Sequence, residues 1–69
     1  MGEPAPDLMT VAEVSAMTRI PRGTLLNWRS QGRGPVGFRL GRAVMYERRD
    51  VLRWLQEQRE ADPVGDRAS

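Results

Sequence analysis

A small, mainly helical domain with one β-hairpin, in the order helix, turn, helix, hairpin, helix, is the fold class this sequence predicts. Three observations predict it. Residues Thr10 to Trp28, TVAEVSAMTRIPRGTLLNW, read as two short helices joined by a tight turn, the second with an apolar back and a polar, Arg-bearing front. From Phe38 to Tyr46 two short apolar stretches flank the pair Gly41-Arg42, the pattern of a hairpin with a tight turn. From Arg48 to Arg59 apolar residues recur at helical spacing. Two helices in a tight turn, a two-stranded wing and a closing third helix together make a winged helix-turn-helix.

Each element has a local cause. Thr10 followed by Glu13 is a capping box, in which the hydroxyl caps the first turn and the carboxylate reaches back. Val11, Val14, Ser15 and Met17 then form the inward stripe of the first helix, with Leu8 ahead of it as a staple residue. Ser15 is small where the two helices cross. The turn is Met17-Thr18-Arg19-Ile20. Pro21 suits the first position of the second helix, where its missing N–H costs nothing, and it disfavours helix at Ile20. The second helix runs to about Ser30 and stops at Gly32. On a wheel of 100° per residue, Pro21, Leu25 and Trp28 fall on one side with Thr24 on the flank. Arg22, Gly23, Leu26, Asn27 and Ser30 fall on the other. Gly32, Gly34, Pro35 and Gly37 mark an irregular crossing loop. In the third helix Val51, Leu52, Trp54 and Leu55 occupy the arc that closes the core.

The bulk properties narrow the function. A chain of 69 residues makes one domain with a thin core. It has no Cys and no His, which excludes disulfides, zinc fingers and Cys- or His-dependent catalysis. Carboxylate or hydroxyl chemistry needs a pocket that so small a chain hardly builds, so no enzyme, cofactor or metal is expected. No apolar run approaches a membrane span, and MGEPAPDL lacks the basic and apolar regions of a signal peptide. A cytosolic location is the expectation. Residues 1–7 and the acidic tail 60–69 read as disordered flanks of a domain at 8–59. The formal charge of +2 hides an asymmetry: residues 10–59 carry ten Arg and four acids, a net +6. A basic compact domain suggests a polyanionic partner. Every basic residue is Arg, for which a GC-rich codon composition is the plainer explanation.

The candidate site follows from the wheel and the wing. Arg22 and Asn27 are the base-edge candidates, since Arg bridges O6 and N7 of guanine and Asn pairs with adenine. Leu26, an apolar residue on a polar face, packs on a thymine methyl or on a partner protein. Arg19 and Arg29, flanking the second helix, meet phosphates, with Ser30 a weaker contact of the same kind and Thr24 at the edge of the face. Arg39 and Arg42 in the wing reach the minor groove or its phosphates. The plainer alternatives are a solvated helix face and charges that protect an edge strand. Trp28 and Trp54 read as core rather than stacking residues. Tyr46 reads as core with its hydroxyl at the surface, and Asp50 as a partner for a neighbouring Arg.

The motifs T-V-A-E-V in the first helix, Thr24-Leu25-x-x-Trp28 in the second, G-R-G-P after it and R-L-G-R in the wing come in a characteristic order. Tyr46-x-x-x-Asp50-Val51-x-x-Trp54-Leu55 completes the series. By these the chain, from about Leu8 to Leu55, resembles the excisionase and MerR-like superfamily of small winged helix-turn-helix proteins. That superfamily includes phage excisionases, the recombination directionality factors. The sequence departs from the usual pattern at Arg19, where Gly is common, at Pro21, where a capping Ser or Thr is common, and at Gly23, where a long polar side chain is common. MerR regulators proper continue into a long dimerisation helix and an effector domain, so effector sensing is not expected. The resemblance implies cooperative self-association on attachment-site DNA, which it bends, and assistance to an integrase that excises a prophage. A small phage or bacterial transcriptional regulator on the same fold is the alternative. A protein-interaction module such as an antirepressor is a third reading, from a different class.

Overall fold

The computed structural model describes residues 6–62. The other expected flank residues, 1–5 and 63–69, lie outside the described range. In chain order the elements are β1 (Leu8–Thr10), α1 (Val11–Thr18), α2 (Arg22–Ser30), β2 (Gly37–Leu40), β3 (Ala43–Glu47) and α3 (Arg48–Ala61). The winged helix-turn-helix expected from the sequence is present, with one addition. The hairpin β2–β3 is widened by β1 into a three-stranded antiparallel sheet of order β1-β3-β2. Met9 stands opposite Tyr46, and Arg39 opposite Val44.

Thr10 does two jobs, ending β1 and capping α1. Its hydroxyl accepts from the Glu13 N–H at 3.1 Å, and the Glu13 carboxylate accepts from the Thr10 N–H at 2.8 Å. The capping box is therefore closed in both directions. Ahead of β1, Asp7 is tied to the start of α3. Its carbonyl accepts from the Arg48 N–H at 2.9 Å and its carboxylate pairs with Arg48 Nε at 2.7 Å. At the other end, α3 runs through Glu60 to Ala61, past the Arg59 limit expected for it, so two residues of the expected tail are helical.

The turn between α1 and α2 is bound by side chains. α1 extends to Thr18, further than the expected turn at 17–20. The Thr18 hydroxyl donates back to the Val14 carbonyl at 2.8 Å and accepts from the Ile20 N–H at 3.3 Å. Ser15, small at the crossing as expected, also donates to the Ile20 carbonyl at 2.6 Å. Arg19 ends α1 in the left-handed region, φ 64, and its N–H donates to the Ser15 carbonyl. Pro21 is the cap of α2 and not its first helical residue. Its ψ of 144 is still extended, while its carbonyl accepts from the Leu25 N–H at 3.1 Å. Being outside the helix, Pro21 is exposed rather than part of the apolar arc.

The core is Met9, Val14, Leu25, Tyr46 and Val51, one residue from each helix and two from the β1–β3 pair. Val11, Met17, Ile20, Val44 and Leu55 pack around it. The tryptophans expected in the core are half-buried. They pack on each other instead, ring centroids 6.1 Å apart and tilted by 54°. This ring contact joins α2 to α3 outside the five-residue core. Leu52 is 50% exposed, contrary to its expected place on the inner arc. It lies 100° round the helix from fully buried Val51, which turns it past the edge of the contact. Tyr46 is fully buried with its hydroxyl, not surface-tipped as expected. Gly37 explains the fit, since a Cβ there would stand 2.7 Å from the Tyr46 ring. Asp50 is not the acid that pairs on α3; Arg49 reaches Glu47 at 3.1 Å.

Candidate nucleic-acid interface

α2 buries Leu25 and half-buries Thr24, Trp28 and Arg29. Its exposed arc is Arg22, Gly23, Leu26, Asn27 and Ser30, the face expected from the wheel. Leu26 is 42% exposed on it. Ser30 is partly engaged, its hydroxyl donating to the Asn27 carbonyl at 2.7 Å. The start of α2 is electrically open. Pro21 supplies no side-chain cap and the first turn has no acid, so the N–H groups there keep their partial positive charge. Arg22 adds a full cation at that end, which an isolated helix disfavours and an anionic partner would relieve.

The wing turns at Gly41-Arg42, with Leu40 opposite Ala43. Gly41 has φ 66 and Arg42 has no positive φ, the pattern of a type II′ turn, in which Gly takes the first position. Arg42 therefore stands exposed at the tip. Arg39 shares the sheet face of Val44 and Tyr46, because residues opposite each other project the same way. That is the face on which the helices pack. Phe38 and Leu40 project from the other face and are exposed.

None of Arg19, Arg22, Arg29, Arg39 or Arg42 has an acidic partner among the described residues. The two ion pairs found there involve Arg48 and Arg49, on α3. Among the described residues the fold thus leaves without an acidic partner the cations of α2, its preceding turn and the wing, as it does Arg33, Arg53 and Arg59. Burial separates Arg29 from the rest: it is half-buried with a buried Nε, whereas Arg19, Arg22, Arg39 and Arg42 are exposed. Thr24 lies toward the body, at the margin of the exposed arc.

Two features, one formed by Arg33 and Gly34 and the other by Tyr46, have no signal in the sequence pattern. Arg33 lies over the Trp28 ring, 5.4 Å from its centroid, and its N–H donates to the Trp28 carbonyl at 2.8 Å. Gly34, at φ 77, brings the loop backbone so close that a Cβ would stand 3.0 Å from that ring. The G-R-G-P motif therefore clasps the end of α2. The second is Tyr46. Burial raises its hydroxyl above the ordinary value, and the Arg29 guanidinium opposes that rise.

A two-helix turn with an exposed polar second helix, followed by a wing, has a counterpart among known families. Residues 8–59 match the family model described as a helix-turn-helix domain. The chain belongs to the helix-turn-helix domain family. This family includes excisionase-like DNA-binding proteins, and membership points to DNA binding and to a role that is typically non-enzymatic. A search of the curated proteins and a search of the solved structures each found no match. No helix among the described residues of the helix-turn-helix domain is long and apolar enough to cross a membrane.

Proposed function

We propose that this domain, residues 8–59, is a sequence-specific DNA-binding accessory factor of the excisionase type. α2 enters the major groove, with Arg22 and Asn27 on base edges and Leu26 against a thymine methyl. Arg19, Arg29 and Ser30 meet phosphates beside it, with Thr24 at the edge. Arg39 and Arg42 of the wing take the adjacent minor groove or its phosphates. One observation carries the reading: the exposed cations of α2, its turn and the wing have no acidic partners among the described residues, while α3 pairs two of its own. A single module of this size buries limited surface, so copies bind adjacent sites cooperatively. The bent assembly helps an integrase excise a prophage in the bacterial cytoplasm. Catalysis belongs to the integrase.

The test is a gel-shift titration on the protein's own genomic flank, attachment-site DNA included, with unrelated competitor DNA. A ladder of discrete cooperative complexes on attachment-site DNA is the expected result. One band, on a promoter fragment alone, would make it a transcriptional regulator. No shift on any fragment would leave the exposed face of α2 as a protein-binding surface. In the same assay Arg22→Ala and Arg42→Ala each weaken binding by about tenfold, the scale of a lost charged contact. Both side chains are exposed, so thermal unfolding stays at the wild-type midpoint. Unchanged affinity in either variant removes that residue from the interface.

A further inference from the structure

Two polar atoms, Nε of Arg29 and the hydroxyl oxygen of Tyr46, are closed to solvent and lack a hydrogen-bond partner among the described residues. They share a neighbourhood. Arg29 follows Leu25 by one turn of α2, and Leu25 and Tyr46 belong to one core cluster. The Arg29 guanidinium also acts electrostatically on the Tyr46 hydroxyl. Packing alone does not call for the hydroxyl, since a phenyl ring would fill the same space against Gly37. A donor that is never anything but a donor and a hydroxyl that can accept from it are thus both buried within electrostatic reach of each other, with no hydrogen bond joining them.

We propose that Tyr46 is a positioning residue for Arg29. When DNA binds, the Tyr46 hydroxyl oxygen accepts from Nε–H and so aims the two terminal guanidinium nitrogens at one backbone phosphate beside α2. The inference rests on the DNA-binding reading and adds to it the residue that holds the clamp. The guanidinium is a rigid planar fork, so fixing Nε fixes the direction of the other two nitrogens. A phosphate at those nitrogens draws the plane into line, and the buried bond closes as it binds. Binding therefore satisfies two groups that the free protein leaves unpaired. A lysine at this position carries the charge without the inner donor and gains nothing from the tyrosine.

The experiment uses the full chain and a labelled mixed-sequence duplex at low salt, where phosphate contacts dominate affinity. Tyr46→Phe is expected to stay folded and to lose about fivefold in affinity, the scale of one hydrogen bond to a charged group. Arg29→Ala loses more, and the slope of log affinity against log salt falls by about one. The double variant binds as Arg29→Ala does alone, and Arg29→Lys is insensitive to the Tyr46→Phe change. Wild-type affinity in Tyr46→Phe, or losses that add in the double variant, would overturn the proposal while leaving DNA binding intact. Absence of binding by the wild type would overturn the DNA reading itself, and this inference with it. If Tyr46→Phe does not fold, the Arg29 Nε–H resonance of the wild type decides. Added duplex should shift it and slow its exchange with water; a resonance that does neither overturns the assignment.

Discussion

Arg19 holds φ 64, a left-handed conformation that glycine adopts freely and that a Cβ makes costly. Four residues on, Gly23 occupies the first turn of α2, where a Cβ would meet nothing within 4 Å and the φ is not positive. Both residues go against local stability, and both border the exposed face of α2. Such sites are where function overrides propensity. Arg19→Gly should raise stability by about 1 kcal/mol through relief of the left-handed strain. Gly23→Ala should raise it by roughly 0.5–1 kcal/mol through helix propensity. Each should also weaken DNA binding, the first by removing a cation and the second by placing a methyl between helix and groove. Thermal melts and duplex titrations on the two variants check this. A stabilised variant that binds DNA as well as the wild type would show that its position serves neither purpose.

Tyr46 carries a different residue-scale consequence. It is the single tyrosine of the chain, so tyrosinate absorbance reports on it alone. Burial raises its pKa above the ordinary tyrosine value of about 10. The unfolded chain ionises nearer that value, so the fold favours the neutral phenol. This contribution to stability is complete below about pH 10 and is lost as pH rises through the folded pKa. An alkaline titration should find tyrosinate appearing together with loss of helix signal, and Tyr46→Phe should remain folded to higher pH. Tyrosinate forming well before any unfolding would contradict the burial.

At the scale of elements, the three helices, the hairpin and the exposed arc of α2 were legible because each has a local signature: a capping box, a 3.6-residue period, a Gly in a two-residue turn. β1 was not. Leu8-Met9-Thr10 is three residues long, and its ladder partner is nearly forty residues away, so nothing local marks it as a strand. The same long separation hid the Asp7–Arg48 tie and the burial of the Tyr46 hydroxyl, which depends on how closely Gly37 lets the strand approach. The exposed cations of the candidate site were legible from the wheel. The electrostatic influence of Arg29 on Tyr46 crosses from α2 to the sheet and leaves no mark in sequence spacing. Thr10 joins two of these elements, since it ends β1 and caps α1. Thr10→Ala should cost about 1 kcal/mol, the usual effect of losing an N-cap. Thr10→Ser should keep most of the stability, because a serine hydroxyl caps equally well. Chemical denaturation of the two variants tests it, and equal losses in both would mean that the β-branched methyl in the sheet matters more than the cap.

For the molecule as a whole, what matters is where the charge sits. Residues 10–59 hold +6, and the acids that neutralise the chain to +2 lie in its flanks. Among the described residues, Asp7 engages Arg48 and Glu60 accepts from Gln56, both on α3. Arg19, Arg22, Arg29, Arg39 and Arg42 thus have no acidic partner among the described residues. If the four other than Arg22 meet phosphates, log affinity should fall with log salt at a slope of about −4. A fourfold rise in monovalent salt would then lower affinity by between about two and three decades. The flanks sharpen the prediction, because removing Asp7 through Asp7→Asn should leave the slope unchanged: that carboxylate sits on α3, not on the binding face. A protein-interaction module would behave otherwise, binding no duplex at moderate salt. A shallow slope with strong binding would mean that base contacts by Arg22, Leu26 and Asn27 outweigh the phosphates, and that the wing cations stand clear of the DNA.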